Sequence, residues 1–256
     1  MTYMKFISGH KSAKWIRYRL FKENRALDRD FLNLTNRDWK GRDWATVMDR
    51  TREIWGNNVA RKNSKVRTYE HIIISLDEKD NRVELDDFRD FVNEWASKWF
   101  DSRGPEEEGI GRFEVAIVYH NDNTTREAEG KQGILHAHLV VNNTDLNTKR
   151  RIAGLLTAKV VQEMGTDIQI MSLERGWHAF ATDCKSYTLA EMNARGLQVS
   201  RGKWLNRLMP FSKHTANVTD DAPSNNYGEM ECGNQVVRGK KHGQSRPDRI
   251  GDGGDL

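Results

Sequence analysis

Two runs between residues 112 and 142 constrain this chain more than any other part of it. They are RFEVAIVYH (112–120) and GILHAHLVVN (133–142), separated by the polar stretch NDNTTREAEGKQ. Both are rich in β-branched and aromatic residues, which predicts two strands joined by a long loop and paired antiparallel. Three of the chain's eight histidines lie on them: His120, His136 and His138. Residues two apart on a strand project from one face, so His136 and His138 point together and Ala137 and Leu139 point away. Folding the hairpin brings His120, at the end of the first strand, beside that pair. Three imidazoles meeting from adjacent strands make half a coordination shell and leave positions open for water or substrate. Asp122, two residues beyond His120, is placed to accept from a ring N–H. A His-x-His pair alone is also what a half-exposed strand carries by chance; the third histidine at a hairpin-compatible position favours a metal centre. His10, His71, His178 and His214 read as surface or packing residues, and His242 falls in the tail.

The rest of the chain supplies the layers around this unit. Residues 3–8 read as a strand, and 12–22 as a basic helix opened by Ser12, a good N-cap. Residues 24–42 look polar and irregular. A helix fits 43–55, with Trp44, Val47, Met48, Ile54 and Trp55 near helical spacing and Gly56 as its stop. The basic loop 57–68 precedes a buried strand over 70–76 (EHIIISL). Leu85, Phe88, Phe91, Val92, Trp95 and Trp99 predict a helix over 85–100. Another helix is predicted over 147–164, closed by Gly165. This order predicts the α+β class: a largely antiparallel sheet with helices packed on one face. Residues 172–209 look helical in pieces, and 188–208 resembles a helix-turn-helix, with Arg201, Lys203 and Arg207 on its second helix. Two short helices packed on the main domain account for the same pattern. From Ser212 onward apolar residues are scarce and disorder is expected. The division this predicts is a domain over 1–165, a helical appendage over 166–211 and a tail over 212–256.

Charge is unevenly spread. Residues 1–70 hold 17 Lys and Arg against 8 Asp and Glu, a net +9 in a chain whose formal total is +4. A basic first quarter suits a polyanion partner docking at one place, and equally a solvated basic face. Four of the eight tryptophans also lie there: Trp15, Trp39, Trp44 and Trp55. Interleaved basic and indole side chains suit a single-strand groove, where charge tracks phosphates and rings stack on bases. Trp44 and Trp55 read as facing the core of their helix. Trp39, in the loop NRDWKGRDW, is the stacking candidate, with Lys14, Arg17, Arg19, Lys22 and Arg42 as phosphate contacts. No run approaches the apolar length of a membrane span and no secretory signal opens the sequence. Cys184 and Cys232 are too few for a disulfide framework and read as reduced thiols, so a soluble, cytoplasmic protein is expected.

The arrangement HND…GILHAHLVVNN resembles the His-x-Asp…His-x-His motif of the relaxase/mobilization nuclease domain family, within the HUH endonuclease superfamily. RTYEHIIISLD, DDFRDFVNEWASKWF and FEVAIVYH resemble that family's order of elements. KFISGHKSAKWIRYRL resembles its first motif, a short strand followed by a helix bearing a nucleophilic tyrosine. The resemblance covers about residues 1–165. Ala137 departs from it, since a bulky apolar residue is more usual there. Length departs further, because relaxases normally continue well past 256 residues; the chain reads as a short member or a truncated one.

The resemblance implies a bacterial enzyme of plasmid or mobile-element mobilization. Such an enzyme nicks single-stranded DNA at a transfer origin, with relaxosome accessory proteins and a coupling protein as partners and no membrane insertion. It implies Mg or Mn at His120, His136 and His138; the affinity order for three nitrogen ligands adds Zn, Ni and Co. The nucleophile it implies is Tyr18, on the basic helix beside Lys14, Arg17, Arg19 and Lys22. A tyrosine oxygen attacking phosphorus leaves a covalent 5′-phosphotyrosine that preserves bond energy for rejoining. Tyr187 is the rival, because replication initiators of the superfamily carry the tyrosine after the histidine pair. Three alternatives stay open: a rolling-circle initiator or single-strand transposase using Tyr187, a non-catalytic relaxosome DNA-binding protein, and an unrelated His-ligated metallohydrolase.

Overall fold

The computed structural model describes residues 3–60, 65–104, 106–122, 133–183 and 185–200. β4 (Phe113–His120) and β5 (His136–Asp145) form the hairpin, flanked by β3 (Tyr69–Ser75), β1 (Tyr3–Gly9) and β2 (Asp28–Leu32). The sheet order is β1-β3-β5-β4-β2, and every pairing in it is antiparallel. The last strand starts later than the sequence predicts, at His136, and runs on to Asp145.

Helices cover both faces, where the sequence predicts one. Val115, Ile117 and Tyr119 with Ala137, Leu139 and Val141 pack under α3 (Leu85–Phe100) and α4 (Ala158–Glu174). Ala116, Val118 and Val140 project the other way, into a second core beneath α1 (Ala13–Phe21) and α2 (Trp44–Ile54). The reason is in the strands themselves: β4 is buried at every position, and a strand apolar on both sides must be covered on both. The histidines lie on the α1/α2 face, so those two helices wall the site.

Buried polar contacts seat these helices. Arg52 of α2, 1% exposed, donates from Nη1 to Asn142 Oδ1 (2.7 Å) and pairs with Asp49. Asn142 Nδ2 donates to Glu114 Oε2 (2.6 Å), and Thr51 Oγ1 donates to Glu114 Oε1 (2.8 Å). Asp49 also accepts from the backbone N–H of Ala13 (2.9 Å), the first residue of α1. The Ser12 side chain makes no capping bond, so the cap predicted there is supplied from α2 instead. α2 itself is capped by Asp43, whose side chain accepts from the backbone N–H groups of Ala45 and Thr46.

Three further expectations are corrected. Residues 28–32 are a strand, although 24–42 look irregular: β2 is an edge strand whose Asp28 and Asp30 are held by Arg89 of α3 at 2.9 and 2.7 Å. The helix predicted over 147–164 begins only at Ala158, where Thr157 accepts from Val160 N–H, and it passes through a buried Gly165 to Glu174. Gly176, with φ +74°, follows its end. Ile54 and Trp55 are 60% and 45% exposed, so neither is a core residue; Lys149 Nζ lies 4.6 Å from the Trp55 ring centre.

α4 thus crosses the expected boundary at residue 165 without a break. Beyond it, β6 (Ala179–Phe180), β7 (Ser186–Tyr187) and α5 (Leu189–Arg195) gather round Leu173, Ala179, Ala181, Tyr187 and Met192. α5 carries a capping box between Thr188 and Glu191 and ends at Gly196 in the left-handed region. It is the first helix of the predicted helix-turn-helix. The second helix, the tail 212–256 and both cysteines lie outside the described residues.

The neck of the hairpin sets the histidine register. A Cβ built on Gly133 would run into the backbone carbonyl of Asn121, so only glycine fits there without moving the strand ends. Gly133→Ala is expected to cost about 1–3 kcal/mol of stability, as overpacking does. Chemical denaturation of the two proteins measures it, and an unchanged midpoint would contradict the close approach.

Candidate metal centre

Register brings the three histidines together. His120 of β4 lies directly opposite His136 of β5, and His138 lies opposite Val118 two residues along. Ring centres are 5.6 Å apart for His120 and His136, 4.9 Å for His120 and His138, and 5.1 Å for His136 and His138. One nitrogen from each lies within 4.8 Å of the others. His120 and His136 are buried and His138 is half-buried.

Hydrogen bonding shows which nitrogens are available. His136 Nδ1 is 2.9 Å from the carbonyl of Ile134. A carbonyl can only accept, so Nδ1 carries the proton and Nε2 keeps its lone pair. Neither ring nitrogen of His120 makes a well-formed hydrogen bond, although the Leu20 carbonyl lies nearby and Asp122 Oδ1 is 3.5 Å from Nδ1. Asp122 Oδ1 is itself buried without a bond, 3.8 Å from His136 Nε2. Its other oxygen is clamped by Arg25 Nε at 2.5 Å. Unpaired buried polar atoms are costly, and here they converge on one point.

Electrostatics favour neutral rings. Burial, and then the neighbouring His136, push His120 down to about 4, partly opposed by Asp122. His136 is lowered by burial, and His138 is well below the ordinary histidine value through burial and then His71. Neutral imidazoles are what a metal requires of its ligands. Three converging neutral rings, with the buried nitrogens of His120 unpartnered, fit a divalent first-row cation, and Asp122 fits as the carboxylate beside them.

Not every expected residue falls at this point. Tyr18 lies on α1, two residues before Leu20, but its side chain is 64% exposed and off the buried stripe of Ala13, Ile16 and Leu20. Tyr187 is 8% exposed, and its hydroxyl donates to Asp183 Oδ2 (2.8 Å), which raises its pKa. Of the candidate DNA contacts, Trp39 is 87% exposed with Lys40 Nζ 4.4 Å above its ring. Lys14 is exposed, and Arg19 sits over Trp15 at 5.1 Å. Three cations carry acidic partners: Arg17 with Asp43 at 3.4 Å, Lys22 with Glu23 at 2.7 Å, and Arg42 with Asp38 at 2.6 Å.

Two residues at the cluster escape the sequence reading. His71, expected to be ordinary, stands 2.8 Å from His138 Nδ1 through its Nε2. Arg25 counts in the sequence only as one basic residue among 17 in the first 70; its pairing with Asp122 follows from the β2–β4 edge and from no local motif. His10 and His178 fit the ordinary reading, bonded to the Val66 carbonyl (2.9 Å) and to Asp80 (2.7 Å).

The family model described as relaxase, MobA/VirD2-like, nuclease domain matches residues 25–164. That segment holds Arg25, His71, His120, Asp122, His136 and His138, and it stops short of both Tyr18 and Tyr187. Among solved structures, the metal-bound conjugative relaxase TrwC in complex with oriT DNA is 13% identical, with 84% of this chain and 92% of that one covered and a TM-score of 0.45. The Mn-bound MobM relaxase domain on plasmid pMV158 oriT DNA is 15% identical, with 83% and 95% covered and a TM-score of 0.41. No curated protein matches the chain. Among the described residues no helix is long and apolar enough to cross a membrane. The match takes in the sheet from β2 onward together with every member of the histidine cluster, and on it this chain belongs to the MobA/VirD2-like relaxases, a family of DNA-nicking enzymes.

Proposed function

We propose that this chain nicks single-stranded DNA at a transfer origin, with Tyr18 as nucleophile and a divalent cation, Mg or Mn, held by His120, His136 and His138. The observation that carries this reading is the convergence of three imidazoles, one nitrogen of each within 4.8 Å of the others, with both nitrogens of the buried His120 lacking a hydrogen-bond partner. A cation bound there supplies Lewis acidity toward the non-bridging oxygens of the scissile phosphate.

The remaining work falls to the chain. The basic first quarter and Trp39 bind the strand, by charge along its backbone and by stacking on a base. Asp122, clamped by Arg25, stands beside His120 and His136 as the carboxylate of the centre. The Tyr18 oxygen forms a bond to phosphorus as the bond to the 3′ oxygen breaks. The phenol's proton is balanced by the proton taken up at the 3′-OH, so one phosphodiester is exchanged for another and no water is consumed. Tyr18 is favoured over Tyr187 because the Tyr187 hydroxyl is tied to Asp183, whereas the Tyr18 ring is exposed on a helix that covers the histidine face. Plasmid or mobile-element mobilization, in a bacterial cytoplasm with relaxosome and coupling proteins, is the setting we propose. The nuclease domain is proposed to run to the end of α4 rather than to residue 165, with the β6–β7–α5 elements as an appendage to it.

Incubating the protein with Mn(II) and a 3′-labelled single-stranded oligonucleotide library tests the reading. The expected product is a protein band carrying label after denaturation, formed only with metal and paired with a free 3′-OH end. Cleavage that leaves an ordinary 5′-phosphate, with nothing on the protein, would overturn it.

A further inference from the structure

Each metal-facing histidine has one ring nitrogen to commit inward and one to dispose of. For His136 the Ile134 carbonyl settles the matter, because a carbonyl accepts and cannot donate. His120 has Asp122 at 3.5 Å. His138 has neither. Its Nδ1 faces His71 Nε2 at 2.8 Å, with ring centres 5.0 Å apart and planes inclined by 33°. Two neutral imidazoles at that distance share one proton, and it can belong to either ring. If His71 donates, His138 accepts at Nδ1 and carries its own proton on Nε2, where it blocks metal binding. If His138 donates, its Nε2 lone pair faces the cluster.

β3 makes this pairing part of the fold. His71 and His138 project from the same face of adjacent strands, offset by two residues in the β3–β5 ladder, where Ile73 lies opposite His138 and His71 opposite Val140. Such a diagonal neighbour is within reach of a ring-sized side chain.

We propose that His71 is a positioning residue of the metal centre: it accepts the Nδ1–H of His138, and so commits the His138 Nε2 lone pair to the opening shared with His120 and His136. The inference rests on the metal-centre reading above and adds one residue to it. Metal binding and the tautomer of His71 are then linked, because the bound form requires the His71 proton on Nδ1.

The test compares His71→Phe, His71→Gln and the double variant His136→Ala/His138→Ala. Phe keeps a buried ring and removes the acceptor, whereas Gln keeps an acceptor oxygen at similar reach. Mn(II) affinity by calorimetry should fall about 10–100-fold in His71→Phe, as loss of a supporting partner does, and stay near wild type in His71→Gln. In the Zn(II)-loaded wild type, ring-nitrogen NMR should place the protons on Nδ1 of both His138 and His71. Wild-type Mn(II) affinity in His71→Phe, or a protonated His71 Nε2 in the Zn(II)-loaded spectrum, overturns the proposal. Should His71→Phe fail to fold, that spectrum decides alone. The double variant keeps the two claims apart: if it still binds Mn(II) normally the metal-centre reading fails, and if it loses binding while His71→Phe does not, only the role of His71 fails.

Discussion

Tyr18→Phe should bind single-stranded DNA and Mn(II) as the wild type does and form no covalent adduct. Only an oxygen is removed. The side chain is 64% exposed and outside the stripe of Ala13, Ile16 and Leu20 that packs α1 on the sheet, so thermal stability should not change. Deleting a nucleophile removes the chemical step, and adduct formation should fall on the order of 10⁴-fold or more. Tyr187→Phe is the control. It loses a hydrogen bond to Asp183 and should keep full activity. A denaturing gel of the labelled reaction separates the outcomes. An adduct that persists in Tyr18→Phe would transfer the chemistry to another residue and favour the initiator-like use of Tyr187.

The double variant His136→Ala/His138→Ala should lose Mn(II) affinity by more than the roughly 100-fold that removing a supporting partner costs, because two direct ligands are gone. Nicking should disappear with it. The metal-free protein should suffer less than deletion of two core side chains would suggest. A large-to-small change in an apolar core costs about 2–5 kcal/mol. Here the lost rings carry polar atoms whose burial is already unfavourable, and His138 is half-buried. Binding to the native state raises its stability by linkage, so Mn(II) should raise the wild-type melting temperature and leave that of the variant unmoved. Scanning calorimetry with and without metal reads both effects. A variant that still gains stability from Mn(II) would place the metal elsewhere.

Much of this site is legible in the sequence because it is local. A period of two places His136 and His138 on one face, and a hairpin adds His120; the register found pairs His120 with His136 directly. Asp122 follows from its two-residue offset. His71 is not legible in that way. It lies 67 residues from His138, in a run whose β-branched residues signal only a buried strand, and nothing local tells which neighbour it will face. Arg25 is hidden for the same reason, since its partner lies across the sheet edge. β2 escapes notice because two of its five positions are Asp28 and Asp30, on the face toward α3, carboxylates held there by Arg89. The late start of α4 reflects competing signals. Leu155 and Leu156 continue a helical period, but Thr157 caps the helix after them, and Gly165 is accommodated in mid-helix. The second helical layer was implicit in the strands, since β4 alternates between two faces that are both apolar.

The histidine cluster is proposed to serve a tyrosine ahead of it in the chain. Peptide mass spectrometry of the adduct formed with Mn(II) and single-stranded DNA tests that claim most directly. A nucleotide 5′-phosphate is expected on the peptide containing Tyr18, with the released strand ending in a 3′-OH. A nucleotide on Tyr187, or cleavage with no modified peptide, would contradict it.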